Sequence, residues 1–198
     1  MKILHIISSP KGEASFSIKL GNAIVEKLKA KYPGSTVKEH DLTNTPFPHL
    51  EEVHLTAFYS PAETHTPELV EAIKHSDTAI AELKDADVIV IGVPFYNFSI
   101  PSTLKAWIDH ISRAGVTFTH DENGLQGLIK DKKVYLAFAS GGIYSAGPTA
   151  SYDFATPYLK SFLGALGMTD LTVYRVEGVA VPELKEAALE KGIESIEV

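Results

Sequence analysis

Five short apolar runs recur along the chain, and helix-like spacing of apolar residues follows each of them. The runs are residues 2–7, 37–40, 88–93, 134–139 and 171–176. Four of the five are nearly unbroken in Ile, Val, Leu, Phe and Ala, as expected for parallel strands covered on both faces. The run 37–40 is polar by comparison, which predicts an edge strand.

Helices are predicted between the runs. Ser15 and Ser17 are both candidate N-caps, and Leu20, Ile24 and Leu28 follow at i, i+4 and i+8. Thr66-Pro67-Glu68 reads as a cap, a first-turn proline and a dipole-favouring acid, opening one helix that runs to about Leu83. Pro101 opens another, with Leu104, Trp107, Ile108 and Ile111 on one face, and Trp107 is read as core or interface. Tyr158, Phe162 and Leu166 mark a fourth helix, and Pro182 starts a fifth.

Strictly alternating strands and helices predict an α/β fold: one domain over residues 1–198, with a doubly wound, five-stranded parallel sheet. Two families of strand order suit five such strands. The order 2-1-3-4-5 would place a switch point between strands 1 and 3, where ligands bind at the carboxyl ends of strands. The connection 42–65 is long enough to expect a functional or interfacial role.

The two loops at that predicted switch point, residues 8–17 and 94–101, and the loop after strand 4 carry the most distinctive chemistry. Strand 1 ends in Ser8-Ser9-Pro10-Lys11-Gly12-Glu13-Ala14-Ser15-Phe16-Ser17, and a helix follows. A helix N-terminus with Ser9, Ser15 and Ser17 hydroxyls beside it can hold a phosphate without a cationic partner. The loop is neither a Walker A sequence nor GxGxxG. Strand 3 ends in Pro94-Phe95-Tyr96-Asn97-Phe98, where flat rings flank an amide that both donates and accepts. Strand 4 ends in Ala139-Ser140-Gly141-Gly142-Ile143-Tyr144, whose glycines expose backbone N–H groups. A flat, hydrogen-bonding aromatic ligand with a phosphate suits all three loops, and a flavin is such a ligand.

Charge and composition narrow the classes. A formal net charge of −7 argues against nucleic acid or an anionic membrane surface as partner. The absence of cysteine excludes thiol catalysis, Cys-ligated zinc, iron–sulfur clusters and disulfides. The histidines lack metal-ligand spacing, so no metal site is expected, and His75 and His110 are read as helix-surface residues. No apolar run suits a signal peptide or a membrane span, so a cytoplasmic location is expected.

The sequence resembles the bacterial FMN-dependent NADH:quinone oxidoreductases known as azoreductases. The shared motifs are Ser8-Ser9…Ser15-Phe16-Ser17, Asp41-Leu42…Pro46-Phe47-Pro48, Pro94-Phe95-Tyr96-Asn97-Phe98, Arg113-Ala114-Gly115-Val116-Thr117-Phe118, Glu122-Asn123-Gly124, Gly141-Gly142-Ile143 and Thr156-Pro157-Tyr158-Leu159. The resemblance implies a flavodoxin-like fold and FMN as cofactor. Its phosphate would lie at Ser9, Ser15, Phe16 and Ser17. Its ring would lie on Pro94, Phe95, Tyr96, Asn97, Phe98, Ala139, Ser140, Gly141 and Gly142. It also implies a homodimer with flavin sites at the subunit interface, and a substrate pocket near His120, Tyr144 and Phe162. The implied reaction is ping-pong: NADH or NADPH delivers hydride to flavin N5, then a quinone or azo compound takes two electrons. The cofactor carries the chemistry, so no catalytic side chain is assigned, and Tyr144 and His120 are read as shaping the pocket. The chain departs from the family pattern at Phe95, where Met is usual, and at Ala139-Ser140, where Ser-Arg is usual. A non-enzymatic flavin-binding electron carrier and an FAD-dependent reductase remain as alternative readings.

Overall fold

Strands that are apolar on both sides must be covered on both sides, and the chain achieves this by placing helices above and below one parallel sheet. The computed structural model describes residues 1–122 and 124–198; Asn123, from the motif Glu122-Asn123-Gly124, lies outside the described residues. In chain order the elements are β1 (Lys2–Ile7), α1 (Phe16–Lys31), β2 (Thr36–Asp41), α2 (Glu52–Tyr59), α3 (Pro67–Ala72), α4 (Lys74–Asp85) and β3 (Val88–Pro94). There follow α5 (Ser102–Ile111), β4 (Phe118–Asp121), β5 (Gly124–Gly127), β6 (Lys133–Ala139), α6 (Ala155–Ala165), β7 (Asp170–Val176) and α7 (Pro182–Glu194).

The sheet order is β2-β1-β3-β6-β7, and every neighbouring pair is parallel. Side-chain alternation divides the core in two. Leu4, Ile6, Ile89, Ile91 and Val93 point to one face, where Leu83 of α4, Leu104, Trp107 and Ile111 of α5, and Leu159 and Leu163 of α6 cover them. Ile3, Val88 and Val90 point to the other, under Leu20, Ile24 and Leu28 of α1 and Ala188 of α7. Trp107 is core: it is fully buried, and truncating such a residue to Ala costs about 3–5 kcal/mol. β2 lies at one edge with Thr36, Val37, Lys38 and Glu39 exposed.

Four expectations are revised. The helix predicted from Thr66 to Leu83 is two helices, α3 and α4, which meet at Ile73 with φ −90° and ψ 0°. The buried Ile73 side chain anchors this bend. The connection 42–65 is not irregular throughout, because α2 lies within it and a 3-10 turn spans Ala62–Thr64. Residues 118–127 form a second sheet, the antiparallel pair β4–β5. Gly127 makes this ribbon possible by letting it press on Gly167, since a Cβ there would lie 2.1 Å from the Gly167 nitrogen. Finally, His110 is not a surface residue but fully buried. Its Nε2 lies 3.0 Å from the Pro48 carbonyl, and its ring contacts Phe47, His54 and Phe58. It ties the 42–65 segment to α5.

Candidate active site

Hydroxyl groups fasten the loop after β1 to its neighbours. Ser8 Oγ donates to the Gly92 carbonyl at 2.7 Å, and Thr103 Oγ1 donates to the Ser8 carbonyl at 3.3 Å. Ser15 caps α1, its Oγ accepting the Ile18 N–H at 3.4 Å. Ser17 Oγ lies 3.0 Å from Ser15 Oγ, and both serines are buried. The N–H groups of Phe16 and Ser17 have no partner among the described residues. Two hydroxyls and two free amides thus converge at the positive end of a sixteen-residue helix, an arrangement that suits a phosphate.

The loop after β3 is a tight turn. Tyr96 and Ser99 exchange backbone hydrogen bonds of 3.0 and 2.9 Å, and the two residues between them, Asn97 and Phe98, have φ of 49° and 65°. Left-handed backbone is uncommon at Asn and an outlier at Phe, costing roughly 1 kcal/mol or more. Both side chains are exposed. Such strain concentrates at functional sites. Tyr96 points the other way, its hydroxyl 3.5 Å from Ser9 Oγ, which also accepts the Lys11 N–H at 3.4 Å.

The loop after β6 is zipped to the loop after β7. The Gly141 carbonyl accepts the Ala180 N–H at 3.0 Å and the Gly142 carbonyl accepts the Gly178 N–H at 3.1 Å. The N–H groups of Gly141 and Gly142 have no partner among the described residues and remain free to donate. Ser140 Oγ donates to the Gly142 carbonyl at 2.8 Å. Beyond the glycines, the Tyr144 ring lies 4.5 Å from Phe95 and 6.3 Å from Phe98. Arg175 braces this region from below. Its guanidinium sits 4.4 Å over the Phe138 ring and bonds Asp153 at 2.7 Å, Thr156 at 2.7 Å and Glu177 at 3.3 Å. Burial pushes the Asp153 carboxyl up, but the Thr156 N–H, the Arg175 guanidinium and the Thr156 hydroxyl outweigh it and hold the group below its ordinary value.

These loops enclose one cleft of about 440 Å³ at the carboxyl ends of the strands, within the range of small-molecule sites. Of the predicted cofactor residues, Ser15, Phe16, Ser17, Pro94, Phe95, Tyr96, Ala139, Ser140 and Gly141 line it. Tyr96 is shared with a wider hollow of about 790 Å³, lined also by Thr43, Asn97, Ile100, Thr103 and Tyr158. Tyr158 lines this hollow, and burial pushes its hydroxyl above the ordinary tyrosine value.

A family model for the flavodoxin-like fold matches residues 1–198. A Mesorhizobium japonicum protein named FMN-dependent NADH:quinone oxidoreductase is 44% identical over 198 residues, spanning 100% of this chain and 94% of the relative. The chain belongs to the flavodoxin-like FMN-dependent NADH:quinone oxidoreductase family. Its fold is shared with an azoreductase from Bacillus anthracis str. Sterne, with TM-score 0.90, 32% identity and coverage of 98% of this chain and 95% of that one. A second B. anthracis structure, titled as an FMN-dependent NADH-azoreductase in complex with FMN, aligns with TM-score 0.86 at 28% identity, covering 98% and 97% of the two chains.

Within this member of the quinone oxidoreductase family, none of the three predicted pocket residues lines the cleft: Tyr144 lies beside it against Phe95, and the other two lie further off. His120 is exposed on β4, 5.8 Å from Phe118, and Phe162 stacks on Tyr158 at 6.1 Å on α6. Neither lines the cleft or the wider hollow. Conversely, Val179, Ala180 and Lys185 line the cleft and were not foreseen. The rule that ligands meet the carboxyl ends of strands would have found them, since they follow β7, but the segment has no serine, aromatic or paired glycine to single it out. Lys11 also lines the cleft.

Proposed function

We propose that this chain is an FMN-dependent NAD(P)H:quinone oxidoreductase with azoreductase activity. One observation carries the reading: free amides, serine hydroxyls, aromatic rings and the Gly141 N–H from three strand ends converge on a single cleft. The relatives' names and the FMN-bound neighbour support it. Bound FMN would supply the redox chemistry, taking hydride from NADH or NADPH at N5 and passing two electrons to a quinone or azo compound in ping-pong order.

The protein's part is positioning. Ser15, Ser17 and the N–H groups of Phe16 and Ser17 hold the phosphate. The Asn97 amide, exposed at the border with the wider hollow, would be free to donate to and accept from the edge of the ring. The free N–H groups of Gly141 and Gly142 would donate to the ring carbonyls and favour negative charge there. Phe95, Phe98 and Tyr144 keep water from the ring. A homodimer would bring His120 and Phe162 of a second copy to the cleft, which explains their distance from it within one chain.

Anaerobic mixing of the FMN-loaded protein with NADH is expected to bleach the flavin absorbance rapidly, and added quinone should restore it. A bound flavin that NADH does not reduce would overturn the reductase reading in favour of an electron carrier. Chromatography of the acid-released cofactor should give FMN, and FAD would replace that assignment. Ser17→Ala should weaken FMN binding about tenfold by removing a buried hydroxyl donor.

A further inference from the structure

Serines and amides make a neutral phosphate cradle, yet two lysines also line this cleft. Lys11 reaches it from the β1–α1 loop and Lys185 from the first turns of α7. Neither side chain has an ion-pair or hydrogen-bond partner among the described residues, although Lys2, Lys38, Lys105 and Lys133 are all paired with carboxylates. No Asp or Glu lines the cleft. In a chain of net charge −7 the cleft is therefore a local positive island, formed where Ser15 and Ser17 lie.

We propose that Lys185, seconded by Lys11, is a specificity-determining cation that selects a phosphorylated flavin over an unphosphorylated one. The inference rests on the FMN reading above and adds to it a residue outside the family motifs of the three loops. The phosphate carries most of the ligand's negative charge, while the oxidised ring is neutral. An ammonium on a flexible stem attracts a dianion as a point charge, without needing the fixed geometry of a guanidinium. Its attraction is also screened by salt, unlike hydrogen bonds from buried serines and amides. Lys185 thus separates two contributions to the same subsite: the neutral cradle sets where the phosphate sits, and the lysines set how strongly its charge counts.

The test is a fluorescence titration of flavin-free protein with FMN and, separately, riboflavin, at low and at 0.5 M salt. Lys185 is exposed on a helix, where Ala is a better helix former, so Lys185→Ala leaves folding intact. FMN affinity should fall about tenfold at low salt in Lys185→Ala, with riboflavin affinity changed less than twofold. Lys185→Arg should retain FMN affinity, and Lys11→Ala combined with Lys185→Ala should flatten the salt dependence. Equal loss for both flavins would overturn the proposal, making Lys185 part of the cleft wall. Unchanged FMN affinity in the double variant would overturn it too, leaving the FMN reading in place. A wild-type chain that binds neither flavin would overturn both.

Discussion

The Glu177 carboxylate accepts the backbone N–H of Tyr144 at 2.8 Å, so the loop after β6 is held by the strand beside it. The same oxygen accepts from Arg175, which also joins Asp153 and Thr156 at the start of α6. One guanidinium therefore fixes two loops and a helix start. Arg175→Met would keep the stem over Phe138 but leave Asp153 and Glu177 as unneutralised, largely buried carboxylates. Removing one partner from such a cluster typically costs about 3–5 kcal/mol when fully buried, and the partial exposure here reduces that to about 2–3 kcal/mol. Chemical denaturation should show the loss, together with weaker FMN binding as Tyr144 loosens. Wild-type stability in the variant would show that the cluster merely fills space.

Asp153 gives that cluster a pH dependence. Its carboxyl is held below the ordinary value in the folded chain, so the unfolded chain binds the proton more readily. The stabilisation is complete above the unfolded pKa, near 4, and is lost as pH falls through the lower folded value. Thermal melts of wild type and Asp153→Asn should diverge most above pH 5 and converge towards pH 3. A constant gap across that range would show that Asp153 acts only through its neutral hydrogen bonds.

His5 works in the opposite charge sense. It is 2% exposed on β1, and burial pushes its imidazole down to about 4. Folding therefore requires the neutral ring, and the unfolded chain takes the proton first as pH falls from 6.5 to 4. Stability should be full above 6.5 and should decline by about 2 kcal/mol on reaching pH 5, a decline that His5→Leu abolishes. Matching pH profiles for both proteins would contradict this. The Glu39 carboxylate, 3.7 Å from Nδ1, is the nearest charged group that could soften the effect.

The ring of His5 also sets what can face it. A Cβ added at Gly21 of α1 would lie 2.7 Å from His5 Nε2. Gly21→Ala should therefore destabilise the fold by about 1–3 kcal/mol despite alanine's higher helix propensity, because the helix must shift from the strand. Gly21→Ala combined with His5→Ala should recover part of the loss, and strict additivity in that cycle would show no contact between them.

At Phe98 stability and function pull apart. The residue holds φ of 65°, which Asn tolerates far better than Phe. Its ring is 47% exposed, so little packing is lost on replacement. Phe98→Asn should raise the melting temperature by about 2 °C while lowering quinone turnover severalfold. A lower melting temperature would mean that the contacts with Phe95, Tyr144 and Tyr152 outweigh the strain.

Much of this could be read from the chain because its strands are buried on both sides. Residues 88–93 admit little but a central strand, and the polar run 37–40 little but an edge. The three loops stood out because serines, rings and glycines cluster after strands. What escaped notice has physical reasons. The bend at Ile73 keeps helical spacing on either side and leaves no proline or glycine behind. The ribbon β4–β5 is four residues long on each side and depends on the contact between Gly127 and Gly167, forty residues apart. His110 looked like a surface residue because its cover, the segment around Phe47, His54 and Phe58, comes from a distant part of the chain. Lys185 sits in an otherwise ordinary amphipathic stretch.

The edge strand has a further consequence. β2 leaves one row of backbone N–H and C=O groups open to any chain seeking to extend the sheet. Lys38, Glu39 and Asp41 occupy that border, and Glu82 of α4 binds Lys38 and His40 across it. A border so charged repels strand addition along β2 and guards this edge of the sheet against edge-to-edge stacking at high concentration. Self-association is thereby directed away from β2 and towards surfaces where two copies can meet without threatening to become many.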